Sequence, residues 1–290
     1  MDIKSGSEYT IAEVAKCSNE AFADYFGHPI VWTPEQLESY LPNHCISMQR
    51  SLVASPKGSD TPAGFCLMAY RDDLPGHARL AGMGVTPSWA GKGVGSQLIK
   101  AMVEAARAEG THTIWLEVIT LNTAAIKLYT KAGFEVVRQM GHWKKDVPTD
   151  EMSLEDGQLP LEESTPQEVL ELTRRYGAAA EMPWQMWHQF ALATSPENSR
   201  AFKLGQAYCA ISDPEDDSKD TVSLQSLVVV PEARGKGQAT ALLRAVMAKY
   251  PGKKWKSPAV VPREFGDAIA KKLGFTSDEI TLDLMKLTVN

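Results

Sequence analysis

Two glycine-rich turns hold the residues best suited to chemistry. Gly91-Lys92-Gly93-Val94-Gly95 follows Gly84-Val85-Thr86-Pro87, and Arg234-Gly235-Lys236-Gly237-Gln238-Ala239 follows Val228-Val229-Val230-Pro231. Each turn stands between an apolar segment and a helical pattern. Glycines bring backbone N–H groups close to an anion, and a helix start adds unpaired N–H groups and a favourable dipole. A diphosphate suits residues 91–96 and 235–240. Two common phosphate motifs fail the test. The P-loop needs Ser or Thr after its lysine, where Gly93 and Gly237 stand. The dinucleotide fingerprint needs three glycines at fixed spacing; 91–95 has the wrong spacing and Ala239 replaces the third glycine.

The elements that must position these turns are themselves repeated. The Gly-Lys-Gly triplets lie 144 positions apart, and Lys131-Ala132-Gly133-Phe134 and Lys272-Leu273-Gly274-Phe275 lie 141 apart. Two matched pairs in one order indicate two related domains. In the first half, patterning predicts strands at 63–71, 78–85, 113–120 and 135–143, and helices at 94–108 and 123–132. Pro87 closes the second strand and Gly133 ends the second helix. The second half repeats this, with strands at 221–230, 255–261 and 281–287 and helices through 239–247 and 264–273. The alternation indicates an α/β class. A turn-rich, acidic stretch at 146–161 marks the division, giving domains at 1–147 and 148–290, as a chain of 290 residues suggests.

Composition narrows the classes. A net charge of −6 repels nucleic acid phosphates. No apolar run approaches a membrane span and the start lacks a signal-peptide pattern, so a cytoplasmic protein without nucleic acid or membrane partners is expected. Cys17, Cys45, Cys66 and Cys209 are scattered, as are the histidines, so reduced thiols and no metal are expected. Asp213, Glu215, Asp216 and Asp217 read as a solvated hairpin tip.

The residues resemble the GNAT superfamily of acyltransferases. Its loop reads Arg/Gln-x-x-Gly-x-Gly/Ala after a strand ending Val-x-Pro. Residues 234–239 match every defined position, and 90–95 match except that Ala90 replaces Arg or Gln. A second signature, Asn before a helix ending Leu-Tyr-x-Lys-x-Gly-Phe, is present as Asn122 and residues 128–134. The resemblance covers about 78–143 and 223–287. It implies two tandem α/β (α+β) domains, each a mixed, mostly antiparallel central sheet flanked by helices. It also implies an N-acetyltransferase that moves an acetyl group directly from acetyl-coenzyme A to a primary amine of a small molecule or protein.

The resemblance assigns roles. The strand before the loop splays from its neighbour, and Met83, Gly84 and Val85 pair with the pantetheine arm and place an N–H near the thioester oxygen. Gly91, Lys92, Gly93, Val94, Gly95 and Ser96 hold the pyrophosphate; Arg234, Gly235, Lys236, Gly237, Gln238 and Ala239 are the corresponding set. Asn122 contacts the cofactor near its thiol end, and Tyr129 protonates the departing thiolate. The amine must lose a proton, for which Glu117 is a candidate base or water-positioning residue, with a structural carboxylate as the alternative.

The halves are not equivalent. Aligning Gly133-Phe134 with Gly274-Phe275 puts Tyr129 on Ala270, Asn122 on Arg263 and Glu117 on Pro258. The first half is therefore expected to be catalytic. The second binds coenzyme A, shapes the acceptor pocket or supports the fold. A non-catalytic acyl-coenzyme A binding or sensing protein is the alternative for the whole chain. Residues 182–190 read as a packed aromatic helix or an acceptor or inter-domain surface. Trp89 either covers the cofactor or packs. Acceptor contacts are expected from 19–40, 72–77 and the surroundings of His142. Glu20, Asp24 and Glu35 either attract a cationic amine or line an exposed helix. Monomer and homodimer are both open.

Overall fold

The computed structural model describes residues 1–27, 29–147, 159–177, 198–216 and 218–289. Most of the expected division (148–158), the aromatic stretch 182–190 and Asp217 lie outside the described residues. The chain forms two compact units, Met1–Val137 with Asp283–Asn290, and Arg138–Leu282.

The first unit begins with β1 (Asp2–Ser5), α1 (Ile11–Ala21), α2 (Pro34–Asn43), β2 (Leu52–Ser55) and β3 (Gly64–Tyr70). It continues with β4 (His77–Val85), α3 (Val94–Ala108), β5 (Thr113–Ile119), α4 (Thr123–Lys131) and the start of β6 (Glu135–Gly141). Thr10 and Glu13 form a capping box on α1, and Thr33 and Gln36 form one on α2. Leu98, Ile99, Met102 and Ala106 make the buried stripe of α3, packed on Met68, Leu80, Ile114 and Leu116.

The second unit holds the end of β6, β7 (Trp143–Asp146), β8 (Glu162–Ser164), α5 (Pro166–Gly177), β9 (Ser199–Leu204), β10 (Ala207–Ser212) and β11 (Thr221–Val229). Then come α6 (Gln238–Lys249), β12 (Lys254–Lys256), β13 (Val261–Pro262), α7 (Arg263–Leu273) and β14 (Thr276–Ser277). The final strand, β15 (Leu282–Thr288), carries the chain back into the first unit. The expected strand 255–261 is broken into β12 and β13, because Pro258 brings no N–H to a ladder. The expected strand 135–143 stops at Gly141, and β7 starts at Trp143.

The sheets are mixed, and the last strands of the repeats change places. In the first unit the order is β1-β2-β3-β4-β5-β15-β6. In the second it is β14-β7-β12-β11-β10-β9-β8. The last strand of the second repeat thus fills the gap beside β5, and the last strand of the first repeat fills the matching gap beside β12. Where the repeat puts the division at 147/148, the compact units divide within β6, at 137/138, and again within β15.

Both units share one device. β4 pairs with β5 in parallel only through His77↔Thr113, Ala78↔Ile114 and Arg79↔Trp115. Against β3, Leu67 faces Gly82 while Met68 faces Leu80, so Ala81 is a bulge. β11 pairs with β12 only through Thr221↔Lys254, Val222↔Trp255 and Ser223↔Lys256, and its bulge is Gln225. Both strands part from their parallel neighbour just before the bulge.

Gly84, on the parted segment of β4, is held close to α1. A Cβ there would lie 2.8 Å from Ala21 Cβ and 2.9 Å from Phe65 Cε1. Gly84→Ala is expected to destabilise the protein by about 1–3 kcal/mol through overpacking. Gly82→Ala, whose Cβ would meet nothing nearer than 3.8 Å, serves as the near-neutral control. Urea midpoints at unchanged slope measure both.

Candidate active site

Beyond Arg79, β4 has a partner on one side only. Met83, Gly84 and Val85 pair with Cys66, Phe65 and Gly64 of β3. Their other edge faces the space opened by β5, and its N–H and C=O groups have no ladder partner among the described residues. This is the parting expected for the three residues.

The glycine turn follows. Gly91 and Gly93 take φ of +71° and +77°, the left-handed conformation in which glycine alone is unstrained. A side chain at either would meet nothing within 4 Å, so the glycines serve the backbone path and leave open space over it. Gly93 caps α3 without any side-chain hydrogen bond, whereas Thr10, Thr33 and Asn122 cap α1, α2 and α4 with theirs. The N–H groups of Val94, Gly95 and Ser96 open α3 and have no internal acceptor. Gly95 is a packing glycine: a Cβ would lie 3.1 Å from Leu128 Cδ2 and 3.2 Å from Met83 Cε. Lys92 lays its ammonium 4.9 Å over the Trp89 ring, which gives Trp89 a packing contact beside the turn. Between α3 and α4 runs a groove of about 340 Å³, lined by the apolar Ile99, Val103 and Leu128 and by the polar Ser96, Lys100, Glu104, Arg107 and Lys131.

Asn122 Oδ1 accepts the Ala125 N–H at 3.1 Å, so the side chain is fixed as the cap of α4. Tyr129 lies further along the same helix. It is 8% exposed, packs on Phe134 at 5.8 Å between ring centres, and donates no hydrogen bond among the described residues. Burial, with smaller contributions from Cys66 and Tyr25, raises its phenol above the ordinary value. Burial also pushes the thiols of Cys17, Cys66 and Cys209 up to about 12, which disfavours the thiolate that a cysteine nucleophile needs.

Glu117 sits on β5, on the face opposite Leu116 and Val118. Its Oε2 receives Arg79 Nε at 2.8 Å and Arg79 Nη2 at 2.7 Å, and both side chains are 5% exposed. Glu117 Oε1 is buried and has no hydrogen-bond partner among the described residues. Arg79 is absent from the candidates that sequence reasoning names. Its signal was a lone cation in an apolar strand beside a strand with a lone carboxylate. On α2, Tyr40 stacks on His44 at 3.6 Å. Burial raises the Tyr40 phenol and lowers the His44 imidazole, with Arg79 a lesser influence on each.

In the second unit Gly235 and Gly237 repeat the turn, at φ of +74° and +77°, and Gly237 caps α6 without a side-chain bond. Two side chains of this loop are engaged inside the unit. Arg234 Nε donates to Val229 O at 3.1 Å, and Gln238 Oε1 accepts the Gln206 N–H at 2.9 Å. The two parallel ladders fix the alignment of the repeats. Thr113 corresponds to Lys254, so Glu117 falls on Pro258, Asn122 on Arg263 and Tyr129 on Ala270, while Arg79 falls on Ser223. Ala270 is buried, and Arg263 is paired with Asp267 at 3.2 Å.

A parted strand pair, a glycine turn and a helix start without a side-chain cap thus recur in both units. Residues 15–134 match the family model of the acetyltransferase (GNAT) family. The first unit thus carries a GNAT-family domain, and the chain has the tandem GNAT fold. A GCN5-related N-acetyltransferase from Sphaerobacter thermophilus superposes with a TM-score of 0.65 at 16% identity, over 100% of this chain and 96% of that one. A tandem GNAT protein from the clavulanic acid biosynthesis pathway gives 0.60 at 14%, over 100% and 99%. At these identities the likeness is one of fold. In sequence, 50 residues are 44% identical to the L-methionine sulfoximine/L-methionine sulfone acetyltransferase of Pseudomonas aeruginosa, covering 17% of this chain and 29% of that protein. Another 37% identity over 60 residues links it to the [ribosomal protein bS18]-alanine N-acetyltransferase of Haemophilus ducreyi, covering 21% and 41%. The chain therefore spans less than half the length of these curated relatives. No helix among the described residues is long and apolar enough to cross a membrane.

Proposed function

We propose that the chain is an acetyl-coenzyme A-dependent N-acetyltransferase and that its reaction runs in the first unit. The observation that carries this is the asymmetry of the repeats. Both units keep the parted strands and the glycine turn, but one alone combines them with Asn122, Tyr129 and Glu117.

Acetyl-coenzyme A supplies the activated acyl carbon and a thiol leaving group. The N–H groups opening α3 receive its diphosphate. The free edge of Met83–Val85 pairs with the amides of the pantetheine arm and points an N–H at the thioester oxygen. The groove between α3 and α4 offers apolar surface and a mixed rim of Lys100, Glu104, Arg107 and Lys131 to the adenosine end. Glu117 takes the proton that the amine must lose, so that its nitrogen lone pair can form the new C–N bond. Tyr129 donates to the sulfur as the C–S bond breaks, the thiol leaves carrying that proton, and the second proton shed by the nitrogen as the amide forms restores the phenol. The acceptor is a primary amine of a small molecule or protein, the two kinds that the relatives' names describe.

Titration calorimetry with acetyl-coenzyme A, together with a thiol-release assay over an amine panel, tests this. We expect binding and amine-dependent thiol release. Binding without release by any amine would favour the acyl-coenzyme A sensing alternative. A second bound molecule per chain would show the loop at 234–239 to be a working site.

A further inference from the structure

We infer that Arg79 is a positioning residue: it grips Glu117 by one carboxylate oxygen and so presents the other, Oε1, to the acceptor amine where β4 and β5 part. This rests on the first unit being the acetyl-transferring one.

The grip is one-sided. A guanidinium usually meets a carboxylate with two donors on two oxygens. Here Arg79 Nε and Nη2 both fall on Oε2, at 2.8 and 2.7 Å. Oε1 is left buried and unpartnered, on a side chain only 5% exposed. A buried acceptor left unmade costs free energy, and such atoms call for a partner that the protein does not itself supply. The partner must be a donor. A primary ammonium is one, with three hydrogens to offer.

The location agrees. Arg79↔Trp115 is the last ladder pair before the strands separate, so Arg79 sits at the apex of the opening and Glu117 two residues along β5. The second unit acts as an internal control. It has the same three-pair parallel ladder and the same bulge, with Ser223 and Pro258 in place of Arg79 and Glu117. The fold therefore forms without this pair. The ion pair goes with Asn122 and Tyr129, not with the architecture.

The chemistry balances. The ammonium gives one N–H proton to Glu117 Oε1 and keeps the electron pair of that bond, which then attacks the acyl carbon. The neutral acid beside Arg79 returns its proton to water, and the second proton that the nitrogen sheds as the amide forms replaces the one Tyr129 gives to the sulfur. Among the described residues the ionisable groups around Glu117 are Arg79 on β4, Tyr40 on α2 and His44 at the C-terminal cap of α2; His77 and Lys286 lie about Trp115, two residues earlier on β5. Among the nearer three, burial disfavours the charged forms of Tyr40 and His44, leaving Arg79 as the charge that faces the carboxylate.

The test compares the full chain with Arg79→Gln, Arg79→Lys and Glu117→Gln. The double variant Arg79→Gln/Glu117→Gln is added, and kcat and the KM for acetyl-coenzyme A are measured for each. Arg79→Gln takes both donors from Glu117 Oε2, so kcat should fall roughly 10²-fold while the KM for acetyl-coenzyme A stays near wild type. Arg79→Lys keeps the charge without the two-donor grip, so kcat should fall roughly 10-fold. If the pair acts as one unit, adding Arg79→Gln to Glu117→Gln should cost little further rate. Unchanged kcat in Arg79→Gln, or losses that add in the double variant, overturns the inference and leaves the assigned reaction standing. Unchanged kcat in Glu117→Gln removes Glu117 from the reaction, and Arg79 with it. Should Arg79→Gln not fold, Arg79→Lys decides: unchanged kcat overturns the inference.

Discussion

Tyr129→Phe is expected to lower kcat roughly 10²–10⁴-fold while leaving the affinity for acetyl-coenzyme A unchanged. The substitution removes one oxygen and keeps the ring that packs on Phe134. That oxygen makes no hydrogen bond among the described residues, so its loss breaks nothing inside the protein, and stability should change by no more than about 0.5 kcal/mol. Burial raises the phenol, which keeps it protonated through the neutral range and always able to donate. The same burial makes it a reluctant acid. In the proposed mechanism its first contribution is thus a hydrogen bond that strengthens as charge grows on the sulfur, with transfer completed as the bond breaks. The rate loss should therefore be even across a neutral-range pH profile, because no titration of Tyr129 falls within it. Stopped-flow thiol release at saturating amine measures kcat, and calorimetry measures the affinity. Unchanged turnover would take the phenol out of the mechanism and leave it a packing residue, as Ala270 is in the second unit.

The parts of this site that were legible in the sequence are those with local causes. α3 runs over Val94–Ala108, the range its apolar spacing predicts, because Gly93 starts it and a continuous stripe buries it. The glycine turns were legible because a left-handed backbone admits few other residues. The inequality of the halves was legible too, and the ladders reproduce the alignment of Tyr129 with Ala270. What escaped was pairing. Arg79 reads as one charge in an apolar strand; that it meets Glu117 depends on the register Arg79↔Trp115, which no local pattern encodes. Ala81 carries no mark of a bulge. The exchange of last strands was equally silent. A strand was legible at 281–287, but a strand's composition does not name the sheet it joins, and Lys144-Lys145-Asp146 carries no strand pattern of its own.

That exchange makes the first unit, where the reaction is proposed to run, depend on the far end of the chain. Removing residues 281–290 is expected to abolish turnover, although every residue assigned to the reaction precedes position 130. β15 lies between β5 and β6, so its loss strips hydrogen-bond partners from both. It also takes Met285, Leu287 and Val289 from the core that holds Leu116, Val118, Tyr129 and Phe134. Emptying a single fully buried methionine site costs about 2–5 kcal/mol, and a domain's whole stability is about 5–15 kcal/mol. Losing three buried side chains and a strand together therefore exceeds what the first unit holds in reserve. Met285→Ala, at 0% exposure, isolates one of these losses and should cost about 2–5 kcal/mol with kcat nearly unchanged at low temperature. Denaturant melts and turnover measured on the full chain, the variant and the truncated chain separate the cases. A truncated chain that melts cooperatively and still releases thiol would mean that β5 and β6 close the first sheet on their own, and that the last strand adds nothing the reaction requires.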